Sequence, residues 1–185
     1  MSPDTVLNPQ SEAELVELVR AGKPLQVIGS GTKRHHGHAP AAEGRTVSLR
    51  KLCKITAYEP GDLVVTVQAG TRLVDLQAEL AKRNQWLPLD PPYAEATIGG
   101  ILGANSSGPR RYGYGTIRDH LLGIRVVGAD GGLTRSGGRV VKNVTGFDLH
   151  KLHVGAYGSL GIVTEASFKL RPRPDLSAAF VFPCA

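Results

Sequence analysis

Glycine constrains this chain more than any other residue type. Of 185 residues, 23 are glycine while only 5% are aromatic. The glycines concentrate in two stretches, Gly29-Ser-Gly-Thr-Lys33 and Ala96-Thr-Ile-Gly-Gly-Ile-Leu-Gly-Ala-Asn-Ser-Ser-Gly-Pro-Arg-Arg-Tyr-Gly113. Glycine is needed where backbone must come close to a neighbour or a ligand, or must adopt a positive φ. The first stretch follows the apolar run Leu25-Gln-Val-Ile28, so a strand empties into a loop. Its consecutive N–H groups, the Ser30 and Thr32 hydroxyls and the charges of Lys33 and Arg34 suit a phosphate. Taken alone, it also reads as an ordinary strand-ending turn. Two named phosphate motifs fail on spacing: the Rossmann fingerprint requires glycine where Arg34 stands, and a P-loop requires G-x-x-x-x-G-K-[ST].

The second stretch joins small residues to amide and hydroxyl donors and to Arg110 and Arg111 in what reads as a turn-rich segment. Glycine inside a helix costs about 1 kcal/mol per residue, so Gly99, Gly100 and Gly103 demand a reason. Close approach of a flat ring to bare backbone is such a reason.

The formal charge of +6 and pI near 9.5 favour anionic partners: cofactor phosphates, nucleic acid, an acidic substrate or another subunit. Aromatic platforms for single-stranded nucleic acid are scarce, and the pair Arg110-Arg111 is a small footprint for a phosphate backbone, which argues against nucleic acid. Cys53 and Cys184 have no C-x-x-C partner, so reduced thiols are expected and any redox chemistry must come from a cofactor. Neither a leader-like N-terminus nor an apolar run long enough to span a bilayer is present in the sequence. A cytoplasmic protein with no integral membrane segment is the expectation.

Ser11-Glu-Ala-Glu14 reads as a capping box opening a helix from Glu12 to about Ala21 that stops at Gly22. Strands are expected at 25–28, 46–49, 55–58 and 63–67, with a turn at Glu59-Pro-Gly-Asp62. Thr71 is expected to cap a helix bearing Leu73, Leu76 and Leu80. Three prolines between Pro88 and Pro92 exclude regular structure there. A strand at 123–127, a turn at 129–132, a return strand from Leu133, a short helix at 149–154 and a strand at 162–170 complete the chain, with Arg171-Pro-Arg-Pro174 as a linker. The loose alternation of helix and strand suggests an α+β domain of two lobes, about 1–60 and 61–175.

Several segments, in order, resemble the FAD-binding domain of the PCMH-type (vanillyl-alcohol-oxidase-like) flavoproteins, and within them the bacterial glycolate oxidase subunits that bind FAD. They are Gly29–Thr32, Leu87-Pro-Leu-Asp-Pro-Pro92, Ala96–Gly100, Gly108–Arg111, Ile117–Asp119, Val141-Lys-Asn-Val-Thr-Gly-Phe-Asp-Leu149 and Val154-Gly-Ala-Tyr-Gly-Ser-Leu-Gly-Ile-Val163. The resemblance implies a small N-terminal α/β lobe plus a larger mixed-sheet lobe with flanking helices. It implies that Gly29, Ser30, Gly31, Thr32 and Lys33 wrap the FAD pyrophosphate. Pro91, Thr97, Gly99 and Gly100 would lie along the isoalloxazine and its linker. Asn105, Ser107, Gly108 and Tyr112 would hold the ribityl and phosphate side, and Gly161 and Ile162 would meet the adenine. It further implies oxidation of a 2-hydroxy acid such as glycolate, with flavin and iron–sulfur subunits as partners and a location peripheral to the membrane through them. A noncatalytic FAD-binding or complex-stabilising module is the alternative reading.

Two departures qualify the resemblance. Thr32 stands where relatives with covalent FAD often carry histidine, so noncovalent binding is expected. Relatives continue into a substrate domain, whereas residues 176–185 hold only what resembles the start of one, so no catalytic residue is named. His35-His-Gly-His38 has no carboxylate or cysteine beside it and reads as a solvated loop, so no metal is expected. His150 and His153 read as ordinary packing, and Asp119 and Asp148 as turn or cap residues.

Overall fold

The computed structural model describes residues 6–36, 44–138, 147–178 and 180–181. In chain order the helices and strands are α1 (Glu12–Arg20), β1 (Leu25–Ile28), β2 (Arg45–Ser48), β3 (Ile55–Glu59), β4 (Val64–Gln68), α2 (Leu73–Ala81), β5 (Gln85–Trp86) and α3 (Ile98–Ala104). Then follow α4 (Arg111–Tyr114), α5 (Ile117–His120), β6 (Leu121–Val127), β7 (Leu133–Gly137), β8 (Ile162–Lys169) and β9 (Arg171–Pro172), with short 3₁₀ turns at Pro60–Asp62 and Leu149–His153.

The Ser11 hydroxyl caps α1 by accepting from Glu14 N–H at 3.2 Å. The reciprocal half of the box is displaced: the Glu14 carboxylate accepts from Gln10 N–H at 2.8 Å instead of from Ser11. Past the last turn, Gly22 takes φ +67 and releases the chain into β1. β1 and β2 pair in parallel. Leu15 and Val16 of α1 pack there with Val47, Leu49 and Leu52, and Ala69, just past β4, and Val127, at the end of β6, close this smaller core.

The second sheet has the order β3-β4-β8-β6-β7. Every pairing in it is antiparallel, so the mixed character expected of the sheet lies in the chain as a whole, through the parallel β1–β2 pair. β8 is central, between β4 and β6, and where Thr66 of β4 meets Ser167 of β8 the two buried hydroxyls satisfy each other at 2.8 Å. Phe168, Val65 and Val67 pack under Leu76 and Leu80 of α2 and Ile98, Ile101 and Leu102 of α3. The two lobes are tied by Glu12, which pairs with Arg125 of β6 and accepts from the Thr164 hydroxyl of β8 at 2.5 Å.

Three local expectations change. Arg72, not Thr71, is the N-cap of α2, and it reaches Asp75 at 2.7 Å and Glu95 at 2.9 Å. The Thr71 hydroxyl is buried and has no partner among the described residues. The glycines of the second stretch begin in a helix, α3, not a turn. Complete burial of Ile98, Ile101 and Leu102 contributes about 1.5–3 kcal/mol each, which exceeds the roughly 1 kcal/mol that each of three helical glycines costs. The linker read at 171–174 is in part β9, which pairs with β5. The motif residues 141–146 and His38 lie outside the described residues, and Phe180 and Val181 are exposed and form no strand.

Candidate functional site

A cleft of about 710 Å³ lies between the two lobes. That volume is of the size that holds small ligands and cofactors. Its floor is β1; the loop 29–34, the glycine face of α3 and the segment around Ala156–Val163 form its walls.

The two glycine stretches meet directly. A Cβ on Gly29 would stand 2.0 Å from Thr97 Oγ1, so only glycine lets the phosphate-type loop seat against the N-terminus of α3. Thr97 is 2% exposed and its hydroxyl accepts from Gly100 N–H at 3.3 Å. Ile98 N–H donates to Thr71 O at 2.8 Å and Gly99 N–H to Ala69 O at 2.7 Å. The first N–H groups of α3 are therefore already occupied. The helix presents bare backbone at Gly100 and Gly103, a surface for something flat instead of an anion trap, while Gly99 sits against Ala69, whose Cβ would stand 3.0 Å from a Cβ there. At its far end, Gly155 N–H donates to Leu102 O and Tyr157 N–H to Gly103 O, at 2.9 and 3.0 Å.

The loop is where charge is wanted. Gly31 adopts φ +74. Among the described residues the N–H groups of Gly31, Thr32 and Lys33 have no acceptor, and the buried Ser30 hydroxyl has no partner. An orphaned buried polar group is costly, which marks the place of an acceptor from a ligand. Lys33 and Arg34 line the same space, with His36 and His153, and among the described residues no aspartate or glutamate does. Burial pushes the Lys33 ammonium below its usual range, because desolvation disfavours its charged form. Its Nζ lies 3.4 Å from Thr32 Oγ1 and 5.7 Å from the Tyr93 ring centre. A loop whose donors have no acceptor among the described residues, with the cations Lys33 and Arg34, opening onto a small-residue wall, fits a pyrophosphate joined to planar rings.

Of the residues expected at the site, Gly29, Ser30, Gly31, Thr32, Lys33, Gly99, Gly100, Gly161 and Ile162 line the cleft. Gly161, at φ +141, lies so close to β6 that a Cβ would meet Val126 at 2.6 Å. Thr97 stands behind the wall as the joint just described. Ser107 is buried and accepts from Ile117 N–H at 2.9 Å, which pins the start of α5. Gly108, at φ +79, lets Asp90 come so close that a Cβ would stand 2.1 Å from its carbonyl oxygen. Pro91 is half-buried in the same segment. Asn105 is the C-cap of α3 at φ +48, and Tyr112 is 87% exposed on α4. These last five, Pro91, Asn105, Ser107, Gly108 and Tyr112, do not line the cleft.

Sequence reading missed His153 and Tyr157 and the apolar wall of Leu25, Val27, Leu49 and Ala69. Apolar strand residues carry no signal that separates a cleft wall from a core. Asp119 caps α5, accepting from Thr116 N–H at 2.7 Å and from its hydroxyl at 2.8 Å, which holds its carboxyl below the usual range. Asp148 pairs with Lys151 at 2.6 Å. Among the described residues no three histidine, cysteine, aspartate or glutamate side chains gather as a metal set, and no helix is long and apolar enough to cross a membrane.

Residues 3–137 match the FAD binding domain family. The chain is 43% identical over 156 residues to the glycolate oxidase subunit GlcE of Escherichia coli (strain K12), which covers 83% of this chain and 44% of that protein. It is 35% identical over 178 residues to the glycolate oxidase subunit GlcD of Bacillus subtilis (strain 168), covering 94% of this chain and 38% of that one. It therefore spans less than half the length of these curated relatives. A solved structure of alkyldihydroxyacetonephosphate synthase superposes with a TM-score of 0.80 at 25% identity, over 92% of this chain and 32% of that one. The match over most of the chain and the chemistry of the cleft agree: the chain belongs to the PCMH-type FAD-binding domain family, and its cofactor is FAD.

Proposed function

We propose that this domain is the FAD-holding part of a flavin-dependent oxidase or dehydrogenase acting on a small 2-hydroxy acid of the glycolate type, and that it works together with further subunits. The cleft carries this reading: a donor-rich, carboxylate-free loop at one end and bare helix backbone beside it. The relatives that bear the name glycolate oxidase subunit support the substrate class. When bound, FAD supplies the two-electron acceptor for the hydride equivalent leaving the α-carbon. Gly31, Thr32 and Lys33 would hold its phosphates by N–H donation and charge, with the Ser30 hydroxyl as a further donor. The α3 glycines would admit its ring system by carrying no side chain. Among the described residues no carboxylate lines the cleft, and on this proposal the groups that bind and deprotonate the hydroxy acid come from partner subunits or a substrate domain.

Noncovalent attachment is part of the proposal, because Thr32 offers no imidazole for a flavin bond. The test is the absorbance of the purified chain followed by acid precipitation. Flavin bands released into the supernatant are the expected result, and a colourless protein that added FAD does not reconstitute would overturn the cofactor assignment. Anaerobic mixing of the loaded chain with glycolate or lactate should leave the flavin oxidised, and rapid bleaching would refute the placement of substrate groups elsewhere.

A further inference from the structure

Two ring-bearing residues belong to the segment whose backbone meets the C-terminal end of α3. Tyr157 and His153 both line the cleft. The backbone of Tyr157 is fastened there by its N–H bond to Gly103 O at 3.0 Å, whereas the phosphate-type loop abuts Thr97 at the opposite end of the same helix. At roughly 1.5 Å per residue, Thr97 to Gly103 covers about 9 Å along the helix axis. The loop and the two rings thus sit at separate stations along one bare wall. Their neighbours on that wall, Gly103, Ala104, Ala156 and Gly158, carry nothing larger than a methyl group.

Tyr157 is also in an unusual backbone state. Its φ is +51, the left-handed region that disfavours any side chain with a Cβ, and it lies between Gly155 and Gly158, both at φ +81. Glycine would be the relaxed choice at 157 as well. Instead the position holds a large ring that is 60% exposed, so the ring does little for the core. Burial lowers the His153 pKa, disfavouring its charged form.

We propose that Tyr157, with His153 lining the same cleft, is the stacking contact for a planar heteroaromatic ring of the bound dinucleotide. The inference rests on FAD occupying the cleft, and it assigns a station that the phosphate loop cannot serve. Either the isoalloxazine or the adenine presents the required face, and ligand fragments distinguish them.

The test is titration of the full chain with FAD, FMN and ADP by calorimetry and flavin fluorescence, using Tyr157→Asn and Tyr157→Phe. Asparagine tolerates the left-handed backbone, so the first variant removes the ring while keeping the turn. Tyr157→Asn should weaken FAD about tenfold, the order expected on losing one aromatic stack. Tyr157→Phe should stay within about twofold of wild type, since it keeps the ring face. His153→Ala should shift the same ligands by a smaller factor, and it gives an independent reading if Tyr157→Asn folds poorly. A loss shared by FMN but not ADP supports the isoalloxazine as the stacked ring, and a loss shared by ADP but not FMN supports the adenine. Unchanged FAD affinity in Tyr157→Asn, or an equal loss in Tyr157→Phe, overturns the inference. A wild-type chain that binds no FAD overturns the cofactor assignment instead.

Discussion

Alanine at position 29 tests the joint between the two glycine stretches. Its Cβ would lie 2.0 Å from Thr97 Oγ1, 3.0 Å from Thr97 Cβ and 3.1 Å from Cγ2. Rotating Thr97 away offers little relief, because the side chain is buried and β-branched and its hydroxyl caps α3 through Gly100 N–H. Loss of that cap costs about 1 kcal/mol and overpacking about 1–3 kcal/mol, roughly 2–4 kcal/mol together. At about 2–4 °C per kcal/mol for a domain of this size, Tm should fall by about 4–16 °C. FAD affinity should fall too, since the loop and the bare helix face would no longer keep their spacing. Thermal melts of Gly29→Ala, Thr97→Ala and the double variant form a cycle that isolates the contact. With Oγ1 and Cγ2 gone, Gly29→Ala should add less than about 1 kcal/mol, leaving a coupling of about 1–3 kcal/mol. Additive losses, or a single variant that melts with the wild type, would refute the joint.

Gly31→Glu should abolish FAD binding in a folded protein, because it places a carboxylate among the loop donors and a Cβ at φ +74; unchanged fluorescence titration would remove the phosphate role from this loop. Lys33 has a lowered pKa, so its charge is present below that value and lost as pH rises through it. FAD affinity should accordingly decline before the usual lysine range is reached, and Lys33→Met should bind more weakly with a flat profile there; an unaltered pH profile in that variant would exclude Lys33 as the titrating group. Phe168→Ala, at a site with no exposure between Val65 and Leu121, should cost about 3–5 kcal/mol. A melting shift below about 2 °C would show that the sheet does not depend on that ring.

Strong local signals were legible in the sequence. The Ser11 cap, the stop at Gly22 and the run Leu25–Ile28 ending in glycine each follow from chemistry within a few residues, and each stands in the structure. α3 was hidden because local cost and distant gain have opposite signs. Its glycines argue against helix, while the burial that outweighs them depends on Phe168 and Leu170, far along the chain. β5 and β9 are two residues each, too short for any alternation to show. At the site, the loop donors declared themselves by residue type. Ser107 and Gly108 did not, since a small polar residue and a glycine look alike whether they touch a ligand or let Asp90 approach. His153 and Tyr157 were missed because only the approach of their segment to α3 brings them to the cleft.

The bond network of Glu12 has a consequence for how the chain acquires its shape. Arg125 lies 113 residues after Glu12 and Thr164 lies 152 residues after it, and Val127 is needed to close the core around Leu15. During synthesis the N-terminal helix and its two strands emerge first with a core that lacks its last wall and a carboxylate that lacks both partners. Contacts of such separation form late, since their loop entropy must be met before they stabilise anything. The first third of the chain therefore waits, apolar face uncovered, until β8 has left the ribosome, and the two lobes gain their order in one step. Pulsed hydrogen exchange during refolding should show α1 amides becoming protected together with those of β8, and early protection of α1 alone would contradict this order.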